Sequence, residues 1–405
     1  MNREAYGKIR EAVVREIDAG TEASDEDIWE CIEKHVLNLG HTTYLSVEEK
    51  REMIQRIFYS IRKLDVLQEL LEDRQITEIM VNGPNQIFVE KAGRIEHYPG
   101  TFFSREKLDD VIQQIVSKVN RRVNEANPIV DVRLLDGSRV NVVLPPVAIN
   151  GPIVTIRKFP DKPISMDKLV EIQSISQEAA VFLQTLVQAK YNIFISGGTG
   201  SGKTTFLNAL SQYIPRDERI ITIEDSAELQ LQSQPNLVRL EVRNANVEGK
   251  NEVTIRDLMK SALRMRPDRI ILGEVRDAAA CELLSVMNTG HDGSLSTGHA
   301  NSPMDMINRL ETLVLTGMDI PLAAIRSQIA SALDIVVQLG RMRDKSRKVL
   351  EVDEVLGVQE GRVVLCPLFS FCEGSEKGQE VRGELVSTGN RLHHLDKLER
   401  AGLQL

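Results

Sequence analysis

The sequence has no apolar run close to the roughly 20 residues that a membrane-spanning helix requires, because charged residues interrupt every hydrophobic stretch. Charges also interrupt residues 1–15, so this segment lacks the apolar centre of a secretory signal peptide. The four cysteines are scattered without a CxxC pair, and their spacing supports neither a disulfide framework nor a zinc site. They are Cys31, Cys281, Cys366 and Cys372. We therefore expect a cytoplasmic protein with reduced thiols.

A basic excess is also missing, since the net charge is −9 at pH 7. This balance argues against a surface that coats nucleic acid, although a local basic channel remains compatible with it. Hydrophobic residues make up 42% and charged residues 27% of the chain, as in ordinary globular proteins. With 405 residues, the chain is long enough for two or three domains.

The segment NIFISGGTGSGKTT, residues 192–205, combines a short apolar run with the pattern G-x-x-x-x-G-K-[ST]. In a strand–loop–helix context, such glycines let backbone N–H groups cradle phosphate oxygens at a helix N-terminus. The expected phosphate-binding residues are Gly197, Gly198, Thr199, Gly200, Ser201, Gly202, Lys203, Thr204 and Thr205. Lys203 would reach the β- and γ-phosphates and Thr204 would ligate Mg²⁺. An ordinary glycine turn has no need for Lys-Thr, so the segment predicts a nucleoside-triphosphate site.

Downstream, strands alternate with helices, which is typical of a doubly wound α/β fold. Two apolar strands end in acidic clusters, the first with Glu224, Asp225 and Glu228 and the second with Glu274. Chemistry collects at the carboxyl ends of such strands, where one carboxylate can hold Mg²⁺ and another can orient water. Gly273 would let the backbone approach the phosphates.

A Gly/Ser/Thr-rich stretch at 289–300 contains two of the seven histidines, His291 and His299. A metal pair is one interpretation, but their spacing is not diagnostic of it. An imidazole that senses or stabilises the γ-phosphate fits better. A turn-rich loop with incidental histidines is the remaining alternative.

The regions around this core differ from it in hydrophobic periodicity and in turn-forming residues. Residues 1–64 show the period of three amphipathic helices, with a solvated charged extension as the alternative. Residues 65–159 predict an α+β domain, and residues 160–175, with Pro160 and Pro163, predict a linker to the α/β domain at 176–405, which contains the nucleoside-triphosphate site. Near the C-terminus, a basic turn at 340–347 favours a solvated hairpin tip, although contact with an acidic partner or a neighbouring subunit stays open.

The ordered segments GGTGSGKT, TIEDSAEL, LRMRPDRIILGEVRD and TGHDGSLSTGHA resemble the Walker A, Asp, Walker B and His boxes of type II and type IV secretion ATPases. Together with VDVRLLDGSRVNVVLPPVAINGPIVTIRKF, the wording TGHDGSLSTGHAN is most similar to tight-adherence (Flp) pilus assembly ATPases of CpaF type. The resemblance covers about residues 64–369. It implies a RecA-like P-loop core, an α+β (PAS-like) N-terminal domain and a small helical extension.

The resemblance also implies roles for single residues. Glu274 matches the Walker B carboxylate and, with Thr204 and Asp225, a Mg²⁺ site. Glu228 is the preferred residue for polarising water, with Glu224 as its rival. The His-box residues are His291 and His299, and the N-terminal arginines able to stabilise the phosphates are Arg133, Arg139 and Arg157. Taken singly, each arginine is equally well explained as a strand surface charge.

For the whole protein, the resemblance implies ATP and Mg²⁺ as cofactors and a homohexamer that works on inner-membrane pilus platform proteins. It predicts neither nucleic acid nor a small-molecule substrate other than ATP. ATP binding would close a cleft between the two main domains, and hydrolysis would reopen it. The alternatives are a RecA-like nucleic-acid motor, disfavoured by the acidic balance, and a small-molecule kinase, which would not need the extra domain.

Overall fold

A computed structural model describes residues 3–18, 23–39, 44–119, 121–134, 136–159, 163–243, 245, 250–374 and 378–405. Pro160, in the predicted linker, lies outside these residues. The chain divides into two compact units, Met1–Pro160 and Asp161–Leu405. Among the described residues, no helix is both long and apolar enough to cross a membrane.

The first unit begins with the three helices that the sequence predicts. They are α1 (Arg3–Asp18), α2 (Asp25–Leu39) and α3 (Val47–Arg62). Each helix buries one stripe, for example Ile28, Ile32 and Val36 on α2, and the stripes pack together in one apolar cluster. Ser46 and Glu49 form a capping box that fixes the start of α3.

The rest of the first unit is an antiparallel sheet with helices. Its elements are α4 (Val66–Glu72), β1 (Ile76–Asn82), β2 (Ile87–Lys91), β3 (Arg94–Tyr98), α5 (Arg105–Ser117), β4 (Ile129–Arg133), β5 (Arg139–Val143) and β6 (Ile153–Arg157). The six strands lie in the order β3-β2-β1-β6-β5-β4. Alternate residues such as Val140 and Val142 face the core with α5, so the opposite face stays polar.

The second unit is built on a nine-stranded sheet in the order β15-β14-β13-β12-β7-β11-β10-β8-β9. Its elements are α6 (Met166–Glu171), α7 (Gln177–Gln188), β7 (Ile193–Gly197), α8 (Lys203–Ser211), β8 (Ile220–Glu224), β9 (Leu237–Glu241), α9 (Ile255–Ala262), β10 (Arg269–Leu272), α10 (Ala279–Met287), β11 (Leu295–Gly298), α11 (Pro303–Gly317), α12 (Leu322–Ala332), β12 (Ile335–Arg341), β13 (Arg347–Gln359), β14 (Arg362–Glu373), β15 (Gly383–Ser387) and α13 (Asp396–Ala401).

Strands β12, β7, β11, β10, β8 and β9 pair in parallel, whereas β13, β14 and β15 continue the sheet in antiparallel pairs. Every residue of β7, β8, β10 and β11 is buried, as expected for parallel strands covered on both faces. Two large apolar clusters cover these faces, one on each side of the sheet. Parallel pairing places the loops after β7, β8, β10 and β11 together at the carboxyl ends of the strands.

A buried ion pair lies at the opposite edge of this sheet. Arg269 is fully buried at the start of β10, and its Nη2 donates to Glu218 Oε1 at 3.0 Å while its Nε contacts the second oxygen. Arg269 Nη1 also donates to the Val187 carbonyl at 2.7 Å. The guanidinium is thus fully enclosed by acceptors, and the loss of its carboxylate partner would leave a charge without compensation.

We predict that Glu218→Ala lowers the free energy of unfolding of the second unit by about 3–5 kcal/mol, because it leaves the Arg269 charge buried and uncompensated. Scanning calorimetry would show this as a lower midpoint for one transition. Glu171→Ala is the matched control, since Glu171 forms an exposed pair with Lys168 and should change the midpoint little. Equal shifts for the two variants would contradict the prediction.

Candidate functional site

The phosphate-type loop connects the buried strand β7 to helix α8. Gly200 and Gly202 have φ of 72° and 95°, which favours glycine, and Gly202 directly precedes the first helical residue, Lys203. A Cβ atom on Gly197 would lie 2.6 Å from the Leu339 carbonyl oxygen, so β12 approaches too closely for any side chain there. The backbone conformation or packing at each of these positions therefore favours glycine, and the N-terminus of α8 points at the loop.

Lys203 lies inside this loop rather than in solvent. It is 8% exposed, and its Nζ donates to the carbonyls of Gly197 and Gly198 at 3.0 Å each. The same Nζ lies 3.2 Å from His299 Nδ1. The ammonium is therefore held at the centre of the loop, where a phosphate would meet it.

Beyond Lys203, a chain of charged groups crosses the sheet edge. His299 Nε2 lies 3.0 Å from Glu274 Oε1, and Arg276 Nη2 donates to Glu274 Oε2 at 2.8 Å. Arg276 Nη1 lies 3.4 Å from Asp225 Oδ2. The sequence motifs after β7, β8, β10 and β11 thus meet through their side chains.

Burial and neighbouring charges set the protonation states of His299 and Glu274. Burial and the neighbouring Lys203 ammonium lower the pKa of His299, which therefore stays neutral near pH 7. A neutral ring accepts from Lys203 at Nδ1 and presents its Nε2–H to Glu274. Burial alone would raise the pKa of Glu274, but Arg276, His299 and Lys203 together lower it. Glu274 is thus an ionised carboxylate.

Glu224 and Glu228, the two rivals for polarising water, differ in their surroundings. Glu224 is 3% exposed, and it accepts the backbone N–H groups of Glu228 and Leu229, the latter at 2.9 Å. Glu228 is only half-buried. Glu224 therefore shapes the loop that presents Glu228, which favours Glu228 as the group that meets water. Gly273 makes room for this, since a Cβ there would lie 3.0 Å from Glu224 Cγ.

The two His-box residues lie at opposite ends of β11. His299 follows Gly298, which pairs with Ser196 beside the loop, whereas His291 precedes Leu295, which pairs with Ile193. The strand separates them by at least about 10 Å. The second unit therefore brings His299 to Lys203 and does not bring His291 there. The role of His291 stays a prediction.

Thr204, Glu274 and Asp225 are the predicted Mg²⁺ ligands. Thr204 stands in the first turn of α8, next to Lys203. Glu274 Oε1 is buried, and its one contact given among the described residues is the one with His299 Nε2 at 3.0 Å. A buried, ionised oxygen with spare acceptor capacity suits a hydrated Mg²⁺. Asp225 is exposed and lies within ion-pair distance of Arg276, so it fits as a ligand through water.

The three predicted arginines of the first unit form a row. Arg133 lies directly opposite Arg139, and Arg139 lies directly opposite Arg157, across strands β4, β5 and β6. Directly opposed residues share a face with Cβ atoms about 5 Å apart, and like charges placed so are destabilising. Asp131 and Glu78 lie 3.5 and 3.8 Å from Arg139 and Arg157, which offsets part of the repulsion. A sequence without strand register could not reveal this row.

The basic turn at 340–347 is not simply a solvated hairpin tip. Arg347 Nε donates to the Gly200 carbonyl at 2.9 Å, and the Arg341 guanidinium lies beside the same glycine. By contrast, Arg343 faces away and contacts Glu373 and the Gly378 carbonyl. The predicted hairpin is present and Arg347 is exposed, but the sequence did not predict its contact with the loop, which arises because β12 pairs with β7.

The family model of type II/IV secretion system proteins matches residues 61–390. The chain belongs to this family. A Mycobacterium tuberculosis protein named for conjugal transfer is 37% identical over 305 residues, covering 74% of this chain and 86% of the relative. The type IV secretion system protein VirB11 of Bartonella henselae is 32% identical over 329 residues, covering 72% of this chain and 92% of that protein.

The structure of the ATPase DotB from Legionella pneumophila shares the fold of this secretion protein, with a TM-score of 0.51 at 21% identity over 73% of this chain and 81% of that one. The predicted α/β class with a RecA-like core is confirmed. With its family and relatives, the chain is an ATPase of the type II/IV secretion superfamily.

We predict that Arg347→Ala weakens nucleotide binding by this secretion ATPase about 2- to 10-fold, because the loop loses one hydrogen bond of about 0.5–1.5 kcal/mol. The measurement is a titration with a fluorescent ADP analogue. Arg343→Ala removes the same charge from the same hairpin without touching the loop, so its affinity should equal that of the wild type. Equal losses in both variants would show that only net charge matters.

The pKa of Glu224 provides a second prediction. Burial raises it from 4.5 to about 7, so between these pH values the folded chain holds a proton that the unfolded chain has lost. Stability should therefore fall as pH rises through this window, by up to about 3 kcal/mol. Glu224→Gln keeps an acceptor for both N–H groups and cannot ionise, so this part of the pH dependence should vanish.

Calorimetry from pH 4.5 to 8 would measure this effect, and the Glu218→Ala variant identifies the transition of the second unit. Glu228→Gln serves as the control because it makes the same chemical change on the half-buried neighbour. An unchanged pH profile in Glu224→Gln would show that Glu224 does not hold its proton in the folded chain.

Proposed function

We propose that this secretion ATPase is a motor for tight-adherence (Flp) pilus assembly, of CpaF type, that drives an inner-membrane platform protein as a homohexameric ring. The proposal rests on the sequence segment TGHDGSLSTGHAN and on the order of the four motifs along the chain. The observation that carries the hydrolytic part is the contact chain from Lys203 through His299 to Glu274. In such a motor, the protein works at the cytoplasmic face of the membrane.

The proposed site assigns one task to each group. Residues 197–205 bind the phosphates, and Lys203 gives up its carbonyl contacts to pair with them. Mg²⁺, held by Thr204 and Glu274 with Asp225 in its outer shell, would neutralise charge on the phosphate oxygens. Glu228 orients the attacking water, because Glu224 fixes the loop beneath it. Neutral His299 keeps Lys203 and Glu274 at fixed separation and links the loop to the carboxylate.

The row of Arg133, Arg139 and Arg157 has the complementary task in this proposal. Three guanidinium groups on one face concentrate positive charge that a polyanion can neutralise. The phosphate chain of a nucleotide is such a polyanion, and arginines strongly stabilise the negative charge that develops on its transferred phosphoryl group. A bound nucleotide would supply the phosphate oxygens that this row engages. His291 is assigned no contact with the phosphates in the same subunit.

Among the relatives, names that refer to conjugal transfer make DNA the natural competing partner. We predict that ATP hydrolysis by the full chain rises severalfold with vesicles carrying the cognate platform protein and does not rise with single- or double-stranded DNA. A reversed result would favour the nucleic-acid motor. Steady-state phosphate release measures the rate in each case.

Two variants make this assay specific to the proposed site. Lys203→Ala should abolish hydrolysis under every condition, and turnover that survives in it would refute the site assignment. Glu228→Gln should lower kcat at least about 100-fold while the affinity for ATP persists, since it removes a group that acts in the transition state. Gel filtration with and without nucleotide reports the ring in parallel.

A further inference from the structure

The helical part of the first unit brings three metal-ligating side chains together. Cys31 and His35 are four residues apart on α2 and therefore share one face. Glu16 on α1 meets them there, with its Oε2 2.8 Å from His35 Nε2. The carboxylate oxygen, the thiol sulfur and the imidazole nitrogen all lie within 4.8 Å of one another. In the part of the chain that the structure describes, this is the one such group of three.

These donors match the chemistry of one metal. Thiolate sulfur, imidazole nitrogen and carboxylate oxygen are the ligands of Zn²⁺, which binds them at about 2.0–2.3 Å. Tetrahedral geometry then places ligand atoms roughly 3.3–3.8 Å apart. In the structure the Glu16 and His35 atoms lie 2.8 Å apart and no pair in the group exceeds 4.8 Å, so small side-chain adjustments would bring the three ligands to that spacing. Mg²⁺ and Ca²⁺, which prefer oxygen ligands, do not suit it.

The surroundings prepare the three ligands. Lys34 Nζ donates to Glu16 Oε1 at 3.2 Å, so the carboxylate is oriented through one oxygen while Oε2 faces the cluster. Zn²⁺ binds a cysteine as the thiolate, so metal binding would release the Cys31 proton.

A simple His–Glu ion pair accounts for only part of this arrangement. An exposed pair of that kind contributes little to stability and has no need for a thiol. Here the partly buried Cys31 also places its sulfur within 4.8 Å of both the carboxylate and the imidazole. A C-x-x-x-H spacing on one helix is not a CxxC pair, and Glu16 joins it from another helix, so cysteine spacing alone predicts no zinc site here.

We propose that Glu16, Cys31 and His35 bind one Zn²⁺, with water as the fourth ligand, and that the metal cross-links α1 to α2. The site is independent of the ATPase chemistry and lies before residue 61, where the family match begins. Metal binding to such ligands couples directly to folding, so Zn²⁺ would stabilise the helical part of the first unit.

The test uses the full chain, freed of metal with a chelator and kept reduced. Co²⁺ replaces Zn²⁺ as a spectroscopic probe, and its titration should give tetrahedral visible bands and a thiolate charge-transfer band that saturate at one equivalent. Zn²⁺ should then bleach both. Cys31→Ser should lose the charge-transfer band, whereas Cys372→Ser, which alters an exposed thiol outside the cluster, should keep it.

A second readout addresses affinity and folding. Zn²⁺ should raise the midpoint of thermal unfolding of the wild type and of Cys372→Ser but not of Glu16→Gln or His35→Ala, and circular dichroism confirms that each variant is folded. Binding of Zn²⁺ at least 10-fold weaker in these two variants supports the site. Absence of the charge-transfer band in the wild type, or equal Zn²⁺ affinity in all variants, overturns it.

Discussion

Parallel register in the second unit is the constraint on which the candidate site depends. Because Gly298 pairs with Ser196 and Leu272 pairs with Ile223, the loops after four separate strands end at the same height of the sheet. Side chains 96 residues apart in sequence, Lys203 and His299, thereby come within 3.2 Å. A shift of this register by one residue would separate the motifs.

Much of this arrangement can be predicted from the sequence because its signals are local. The glycine loop, the buried strands and the acidic strand ends each carry a period or motif, and the structure has each element. What could not be predicted depends on pairing between distant segments. The row from Arg133 to Arg157 requires the register of three strands, and the Arg347 contact requires β12 beside β7. The edge strands β9 and β15 were missed, since their mixed burial gives a weak pattern.

The contrast between Glu224 and Glu228 shows how one loop can divide two tasks between identical side chains. Burial against Gly273 removes Glu224 from solvent and turns its oxygens toward backbone N–H groups. Four residues later, Glu228 remains accessible. Residue type alone predicts either as the base, and only the backbone path separates them. His291 and His299 differ for the same reason, because a single strand carries them to opposite edges.

Arg347 forms hydrogen bonds through both its backbone and its side chain. Its carbonyl accepts from Ser174 Oγ at 2.6 Å, while its side chain donates to Gly200 at 2.9 Å. The glycine loop, the hairpin and the turn between α6 and α7 are therefore fastened at one residue. Any displacement of the loop along its strand must either break one of these two bonds or carry the hairpin and that turn with it. A single arginine thus couples the movement of two chain segments that are 147 residues apart in the sequence.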